Sequence, residues 1–322
     1  MIVRWGLREL GSVLVDAGVG RPLLVASRRW AGLDLPVPVQ GVWSQVPTAE
    51  IGAAAREVAG CDGILAVGGG SAIDLGKAIS VETELPVVSV PTTYSGAEWS
   101  HFFGIRDEER RMAGGGGGAN VAGIVYEPEL TLDLPRPETG GTALNALAHC
   151  AEALYAAGHN PEADAEALAG APLVSEWLPQ VLERPRDLEA RTRLLEGAMH
   201  AGAALGGAGL ALAHAIAQAL GGAYGLPHGA MNALCLPPAL RFNAPAAADE
   251  IRRFADALGV EDAAARAEEL ARLGGFERLR DFGVPHEDLP ELGAMAAERR
   301  GAIVNPRPVS ADDATRLYQS VW

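Results

Sequence analysis

The sequence predicts an α/β region built on a parallel sheet, followed by an all-helical region. Through about residue 130, short apolar runs alternate with helical stretches, a pattern typical of parallel strands that are buried on both faces and covered by helices. From residue 139 onward, β-type runs almost disappear, and Ala, Leu and Glu fill helix-length segments broken by Pro or Gly. A length of 322 residues suits two domains of roughly 150 residues each. We therefore predict domains at 1–134 and 135–322.

The first domain shows its elements in order along the chain. Four continuous apolar runs predict strands at 22–26, 63–67, 86–90 and 123–126. Three amphipathic stretches predict helices at 7–17, 48–59 and 72–83, with Thr48 as the N-cap of the second helix. A run of five glycines at 114–118 leads into no evident helix, and we expect it to form a mobile loop between two strands.

Composition limits the classes of partner. The chain carries 26 basic and 41 acidic residues, a formal net charge of −15, with no basic stripe, which argues against nucleic acid and against an anionic membrane surface. No stretch of about 18 apolar residues is present, and the nearest, 201–220, is interrupted by His214 and Gln218 and predicts a buried helix. The three cysteines are widely spaced in apolar contexts, so we expect buried, reduced thiols in a cytoplasmic protein. They are Cys61, Cys150 and Cys235.

A glycine-rich turn is the strongest local signal. A buried strand runs into Gly68-Gly69-Gly70 and then into a helix that Ser71 can cap, an arrangement whose backbone N–H groups and helix dipole favour an anion. The turn matches neither the GxGxxG nor the P-loop pattern, and a generic tight turn between strand and helix is the alternative. Asp74 and Lys77 share one face of the helix. Because Lys77 is the one lysine beside 25 arginines, we predict that its compact ammonium lies near a phosphate.

A second turn follows the next strand. Pro91, Thr92, Thr93 and Tyr94 come directly after it, where open parallel sheets bind ligands. We expect the two turns to form two walls of one crevice.

The helical domain contains a constellation of histidines and amides. Asn145 and His149 lie four residues apart on one helix face, and His214 and Gln218 repeat that spacing. His228 follows Pro227 at the start of another helical run. Three histidines beside helix positions have the chemistry of nitrogen ligands to a metal. Each histidine taken alone is more often a hydrogen-bonded core residue, and this alternative stays open.

These motifs, in this order, resemble the iron-containing (group III) alcohol dehydrogenase superfamily. Within it, the segments 90–98, 126–132 and 144–155 are most similar to the maleylacetate reductase branch. The resemblance covers essentially the whole chain. It implies a dehydroquinate synthase-like fold, with a Rossmann-like dinucleotide-binding α/β domain, a helical catalytic domain, a cleft between them and a homodimer.

The resemblance also implies NADH or NADPH as the cofactor. The expected cofactor-binding residues lie in the two turns, in the helix after the first turn and near the end of the α/β domain. They are Ser27, Gly68, Gly69, Gly70, Ser71, Asp74, Lys77, Pro91, Thr92, Thr93 and Leu130. The glycines and Ser71 would hold the pyrophosphate, the threonines the nicotinamide side and Leu130 the adenine end. Ser27 and two arginines occupy the place where a carboxylate would select NAD, so NADPH is at least tolerated.

The metal positions of the superfamily fall on Asn145, His149, His214 and His228. The superfamily usually has Asp where this chain has Asn145, and the change removes a negative charge from the site. Maleylacetate reductases resemble this chain in that respect and are regarded as working without metal. We therefore expect no metal, with weak binding of zinc or iron by the three histidines as the alternative.

A second departure concerns the catalytic acid. Gln218 stands where the superfamily usually carries another histidine, and an amide cannot deliver a proton. The resemblance then leaves His228 as the expected acid, with His149 or Tyr94 behind it. We predict an NAD(P)H-dependent reductase of a small carbonyl or enoyl-carboxylate substrate, with His214, Asn145 and Gln218 also lining the pocket. The alternatives are a non-redox elimination or cyclisation on the same fold, and a catalytically silent nucleotide-binding subunit.

Overall fold

A six-stranded parallel sheet organises the first part of the computed structural model, which describes residues 1–322. The strands of this sheet are β1 (Ile2–Trp5), β2 (Pro22–Ala26), β3 (Gly41–Trp43), β4 (Gly63–Gly68), β5 (Val87–Pro91) and β8 (Val121–Tyr126). Their order is β1-β8-β5-β4-β2-β3. Three helices accompany the sheet: α1 (Leu10–Asp16), α2 (Ile51–Arg56) and α3 (Gly70–Thr83). The predicted parallel sheet is confirmed.

The apolar runs form central strands because both faces of the sheet are covered. Alternate residues of β2 and β4 enter opposite clusters: Leu24 and Leu65 contribute to one, and Leu23 and Ile64 to the other. All four are almost completely buried. Helix α3 approaches the sheet closely at Gly76, where an added Cβ would lie 3.1 Å from the Cβ of Ala66.

Both predicted helix caps are wrong. Helix α2 begins at Ile51 with Glu50 as its N-cap, and Thr48 instead accepts a hydrogen bond from the Glu50 amide at 3.1 Å. Helix α3 begins at Gly70, so Ser71 lies within its first turn and no side chain caps it. The edge strands β1 and β3 were not predicted.

The five-glycine run belongs largely to a strand, and the predicted mobile loop is wrong. Strands β6 (Phe103–Arg106) and β7 (Met112–Gly116) form an antiparallel hairpin. A Cβ at Gly116 would lie 2.7 Å from the ring of Phe103, and one at Gly117 would lie 2.7 Å from the ring of Phe102. An added side chain at either glycine would therefore require the neighbouring ring to move.

The chain divides into two compact units. The first comprises residues 1–93 and 97–132, and the second comprises 94–96 and 133–322. The second unit is helical, as predicted. Its helices are α4 (Arg136–Ala153), α5 (Pro161–Glu183), α6 (Leu188–Ala208), α7 (Leu212–Tyr224), α8 (His228–Asn243), α9 (Ala248–Leu258), α10 (Ala263–Gly274), α11 (Leu289–Ala297), α12 (Arg300–Ile303) and α13 (Ala311–Ser320).

The apolar segment 201–220 is not one helix. It is broken at Gly209, whose φ of +84° favours glycine, and α6 and α7 meet at an angle of 98°. No single helix has the length and apolar character to cross a membrane, although this bent pair meets both criteria by length and composition.

Two glycines bring the backbones of α4 and α8 into direct contact. A Cβ on Gly229 would lie 2.4 Å from the carbonyl carbon of Gly141, and one on Gly141 would lie 3.2 Å from the amide nitrogen of Ala230. One helical turn beyond this contact, α4 carries Asn145 and α8 carries Asn232. The close approach therefore brings these two side chains together.

Candidate active site

The glycine turn of the first unit joins β4 to α3. Gly68 has a φ of +148°, and a Cβ there would lie 2.9 Å from the Cβ of Ala72. A Cβ on Gly69 would lie 2.9 Å from Cγ2 of Thr93. Because no side chain caps α3, its first-turn N–H groups and the positive end of its dipole have the chemistry that binds phosphate. The turn therefore fits the pyrophosphate of a dinucleotide.

The end of β5 lies directly beside this turn. Pro91 pairs with Gly68 in the sheet, and the Thr92 amide donates to the Gly68 carbonyl at 3.0 Å. The buried hydroxyl of Thr93 has no hydrogen-bond partner. The structure thus brings the two predicted turns together, while Leu130 packs into one of the clusters against the sheet.

The ammonium of Lys77 binds groups of the protein itself rather than a phosphate. Its side chain is 1% exposed, and Nζ forms a 2.8 Å ion pair with Asp74. It also donates to the carbonyl of Ala97 at 2.8 Å and to that of Phe102. Ser100 offers two further oxygens at 3.3 and 3.4 Å, so protein acceptors satisfy all three donors of the ammonium. The predicted phosphate contact of Lys77 is therefore corrected: the lysine ties α3 to the segment 97–102.

Asp74 belongs to the same buried network. It accepts a hydrogen bond from the amide of Gly104 at 3.2 Å in addition to its pairing with Lys77. Burial raises the pKa of Asp74, and the neighbouring Lys77 opposes that shift. Its contacts lie within the protein, and its predicted place near the cofactor stays a prediction.

Three histidines of the second unit converge. The rings of His149 and His214 are stacked, with centroids 4.8 Å apart and planes 12° apart. The rings of His214 and His228 lie 5.7 Å apart at 49°. They come from α4, α7 and α8, so three predicted site residues meet in one cluster.

Two amide side chains organise this cluster. Nδ2 of Asn145 donates to the carbonyl of Ser95 at 3.1 Å, which fixes the orientation of the amide. Its Oδ1 then accepts a hydrogen bond from Nδ2 of Asn232 at 2.7 Å and faces Nε2 of His214 at 3.2 Å. Sequence reasoning missed Asn232. The available signal was its position four residues after His228 on one helix.

Glu152 is the second residue that the sequence did not reveal as part of the cluster. It is completely buried, accepts from the Ala211 amide at 2.8 Å and faces Nδ1 of His214 at 2.7 Å. With Asn145 on the other side, each ring nitrogen of His214 faces an oxygen acceptor. His214 is therefore held in place from both sides, by Glu152 at Nδ1 and by Asn145 at Nε2.

His149 has the opposite character. Its Nε2 faces Nδ2 of Asn145 at 3.4 Å, so it acts as an acceptor there. Burial lowers the pKa of His149 well below its usual value, and the neighbouring His214 and His228 lower it further. Its Nδ1 is buried without a partner, as are Oγ of Ser95 and Oδ1 of Asn232. His149 is thus a neutral ring beside polar atoms that the protein leaves unpaired.

The donor set does not fit a bound metal. The Nε2 atoms of His149 and His214 face the two ends of the Asn145 amide, and that of His228 faces Nδ2 of Asn232 at 3.0 Å. A metal would need the lone pairs of these nitrogens. No group of three or more His, Cys, Asp or Glu side chains has an arrangement that could hold a metal ion.

The two remaining predicted residues have different surroundings. Gln218 is half-buried one turn after His214 on α7. The buried hydroxyl of Tyr94 accepts a hydrogen bond from Arg191 at 3.1 Å. Arg191 is itself 1% exposed and also donates to Thr139 at 3.0 Å. Tyr94 therefore contributes to a network around Arg191, and its predicted role as a reserve acid stays a prediction.

An uncapped glycine turn on a parallel sheet and a histidine cluster in a helical unit are the main features of this chain, which is an oxidoreductase of the dehydroquinate synthase-like fold. The chain belongs to the iron-containing alcohol dehydrogenase family. The family model "Iron-containing alcohol dehydrogenase" matches residues 5–117, and the model of the family's C-terminal part matches residues 139–322. The resemblance seen in the sequence is confirmed.

Named relatives include several maleylacetate reductases. The one from Pseudomonas knackmussii is 34% identical over 98% of this chain and 93% of its own length. The one from Burkholderia cepacia is 38% identical over 82% of this chain and 74% of its own length. The crystal structure of maleylacetate reductase from Agrobacterium tumefaciens is 29% identical and has a TM-score of 0.90, covering 100% of this chain and 95% of that one.

Proposed function

We propose that this protein is an NAD(P)H-dependent, metal-independent reductase of maleylacetate or of a closely similar small enoyl-carboxylate or carbonyl substrate, and that it works as a homodimer. The observation that carries the proposal is the amide-organised histidine cluster. Asn145 and Asn232 occupy the histidine nitrogens that a metal would use, in a chain related to maleylacetate reductases.

The first unit would bind the cofactor through its own backbone. The uncapped N-terminus of α3 offers N–H groups to the pyrophosphate, and Gly68 and Gly69 allow the close turn. Thr93, with its unpaired hydroxyl, would contact the nicotinamide side. When bound, the reduced nicotinamide supplies a hydride to the electrophilic carbon of the substrate.

The histidine cluster would supply the proton that balances the hydride. His149 is a neutral acceptor, and His214 is fixed between Glu152 and Asn145. His228 is the partly exposed member of the three, at the first position of α8. We assign to His228 the transfer of a proton to the substrate atom that receives the electron pair, after which water reprotonates the ring.

The test follows oxidation of NADH and NADPH by absorbance, with maleylacetate and a panel of simple aldehydes. We expect turnover with maleylacetate, unchanged by EDTA and not increased by zinc or iron. The variant His228→Gln should lose about 10²- to 10⁴-fold in kcat, the usual contribution of a general acid. His159→Gln, at an exposed histidine of the same unit, should keep the wild-type rate. Loss of activity in EDTA that zinc restores would refute metal independence.

Gln218 supports a second candidate, a non-redox elimination or cyclisation on this fold, because an amide replaces an expected proton donor. Cofactor binding without oxidation by any substrate of the panel would favour it. Failure to bind either cofactor would instead favour a silent subunit. The variant Gln218→His separates a weakened reductase from a repurposed one: a large gain in rate indicates the former, and no gain indicates the latter.

A further inference from the structure

The turn that follows β2 lies beside the glycine turn. Strand β2 is the neighbour of β4 in the sheet, with Ala26 paired with Val67. The next residue on each strand therefore begins a turn at the same edge. Trp30 confirms the proximity, because its Cδ1 lies 3.9 Å from the position that a Cβ on Gly68 would take.

This turn, residues 27–33, has a defined conformation. The carbonyl of Ser27 accepts hydrogen bonds from the amides of Trp30 and Ala31 at 2.8 and 2.9 Å. Trp30 packs against the apolar cluster on one face of the sheet. The guanidinium of Arg29 lies over the Trp30 ring, 4.8 Å from its centroid. These contacts fix the backbone of the turn and the ring of Trp30, on which the Arg29 guanidinium is stacked.

The charged side chains of this turn are both positive. Arg28 and Arg29 are both exposed, and no carboxylate occurs after β2 until Asp34. In dinucleotide-binding folds, the strand beside the phosphate-binding turn ends at the adenosine ribose, and a carboxylate there binds the 2′-hydroxyl. A carboxylate repels a 2′-phosphate, whereas a guanidinium binds it with charge-assisted hydrogen bonds.

We propose that the turn of residues 27–33 selects the cofactor by its 2′-phosphate, so that the protein uses NADPH in preference to NADH. The arginines at 28 and 29 are the specificity-determining residues, and Ser27 leaves room for the phosphate where a carboxylate would exclude it. This inference rests on the proposed function only in requiring that the first unit binds a dinucleotide.

The experiment measures binding of cofactor fragments, so it needs no substrate. Calorimetric titration of the full chain with 2′,5′-ADP and with 5′-AMP should show 2′,5′-ADP binding at least about tenfold tighter. Arg28→Ala and Arg29→Gln should each weaken binding of 2′,5′-ADP by about tenfold and leave that of 5′-AMP unchanged. Arg4→Ala is the matched control, because Arg4 is an exposed arginine on β1 at the opposite edge of the sheet.

A third variant tests the proposal in the opposite direction. Ser27→Asp places a carboxylate at the end of β2, and we expect it to reverse the preference, with tighter binding of NADH than of NADPH. Equal binding of the two fragments by the wild type, or a preference for 2′,5′-ADP that neither arginine variant reduces, would overturn the inference while leaving the reductase proposal intact. If neither NADH nor NADPH binds, the reductase proposal itself fails.

Discussion

The two units each bury a polar network, and the networks differ in how completely their atoms are paired. In the first unit, the ammonium of Lys77 has acceptors for all three donors, from Asp74 and from the segment 97–102. In the second unit, the network around Asn145 leaves Nδ1 of His149 and Oδ1 of Asn232 buried without partners. Unpaired buried polar atoms are costly, so proteins tend to keep them where a ligand or a water molecule completes them.

The contrast distinguishes the network around Lys77 from the network around Asn145. The lysine was the more conspicuous feature of the composition, and its contacts show that it stabilises the fold. The amides were inconspicuous, and their contacts place them among the three histidines of the proposed active site. For these two networks, pairing in the folded state is therefore more informative than rarity in the sequence.

The largest effect on stability should come from Lys77→Met. The change leaves the Asp74 carboxylate and two carbonyls without their donor, and breaking a buried ion pair in this way costs about 3–5 kcal/mol. Urea denaturation followed by circular dichroism measures the loss. Arg241→Met is the control, because its ion pair with Glu268 is half-exposed and should contribute less than about 1 kcal/mol. Equal losses in the two variants would contradict a structural role for Lys77.

The second prediction concerns Asn232→Leu. It removes a donor to Asn145, which keeps its contact with His214, so we expect a smaller loss of about 1–3 kcal/mol in the free energy of unfolding. Reductase activity should fall at least about tenfold, because His228 loses its contact with Nδ2 of Asn232. Asn243→Leu is the control: it breaks a buried amide pair with Asn305 in the same unit and should cost stability alone. Full activity in Asn232→Leu would remove Asn232 from the site.

The smallest effect should come from Glu98→Gln. One oxygen of this buried carboxyl accepts from Tyr126 at 2.8 Å, the other has no partner, and burial raises the pKa of Glu98. The folded protein therefore holds this proton more tightly than the unfolded chain. The resulting stabilisation is complete below about pH 4.5, the ordinary value, and is lost as pH rises through the raised pKa.

Replacing the carboxyl removes that dependence. Stability curves measured between about pH 5 and pH 8 should fall less steeply with rising pH for Glu98→Gln than for the wild type, with a change within about 1 kcal/mol at neutral pH. Glu82→Gln, at an exposed position of α3, should follow the wild-type curve. Equally steep curves for the two proteins would show that the carboxyl is already ionised in the folded protein over this range.

The sequence predicted the central strands because burial on both faces leaves continuous apolar runs. It missed the edges because β1 contains the exposed Arg4 and β3 has only three residues. The hairpin was missed because β7 is mostly glycine, a residue type depleted in strands, and forms through backbone pairing with β6. Contacts between residues that are distant in sequence stabilise these strands. Local propensity does not include such contacts, so it could not predict them.

The site residues that belong to a family motif were predicted from the sequence. Those that join the site only through tertiary contacts were missed. Asn145, His149, His214 and His228 were identified from spacing and resemblance. Asn232 and Glu152 act through partners on other helices, which a single sequence does not show. The sequence showed that Lys77 is the one lysine of the chain. Only its partners in the folded protein showed that its role is structural.

The contact between Gly141 and Gly229 determines how far the chemistry of this site can change during evolution. The separation of α4 and α8 is fixed by backbone against backbone, with no side chain between them. Side chains one turn away are therefore exchangeable, since replacing an amide by a carboxylate at Asn145 leaves the spacing of the helices untouched. A scaffold whose helix spacing is set by two glycines can therefore exchange the side chain at Asn145 by a single substitution, whereas one methyl group on Gly229 would collide with the backbone of Gly141.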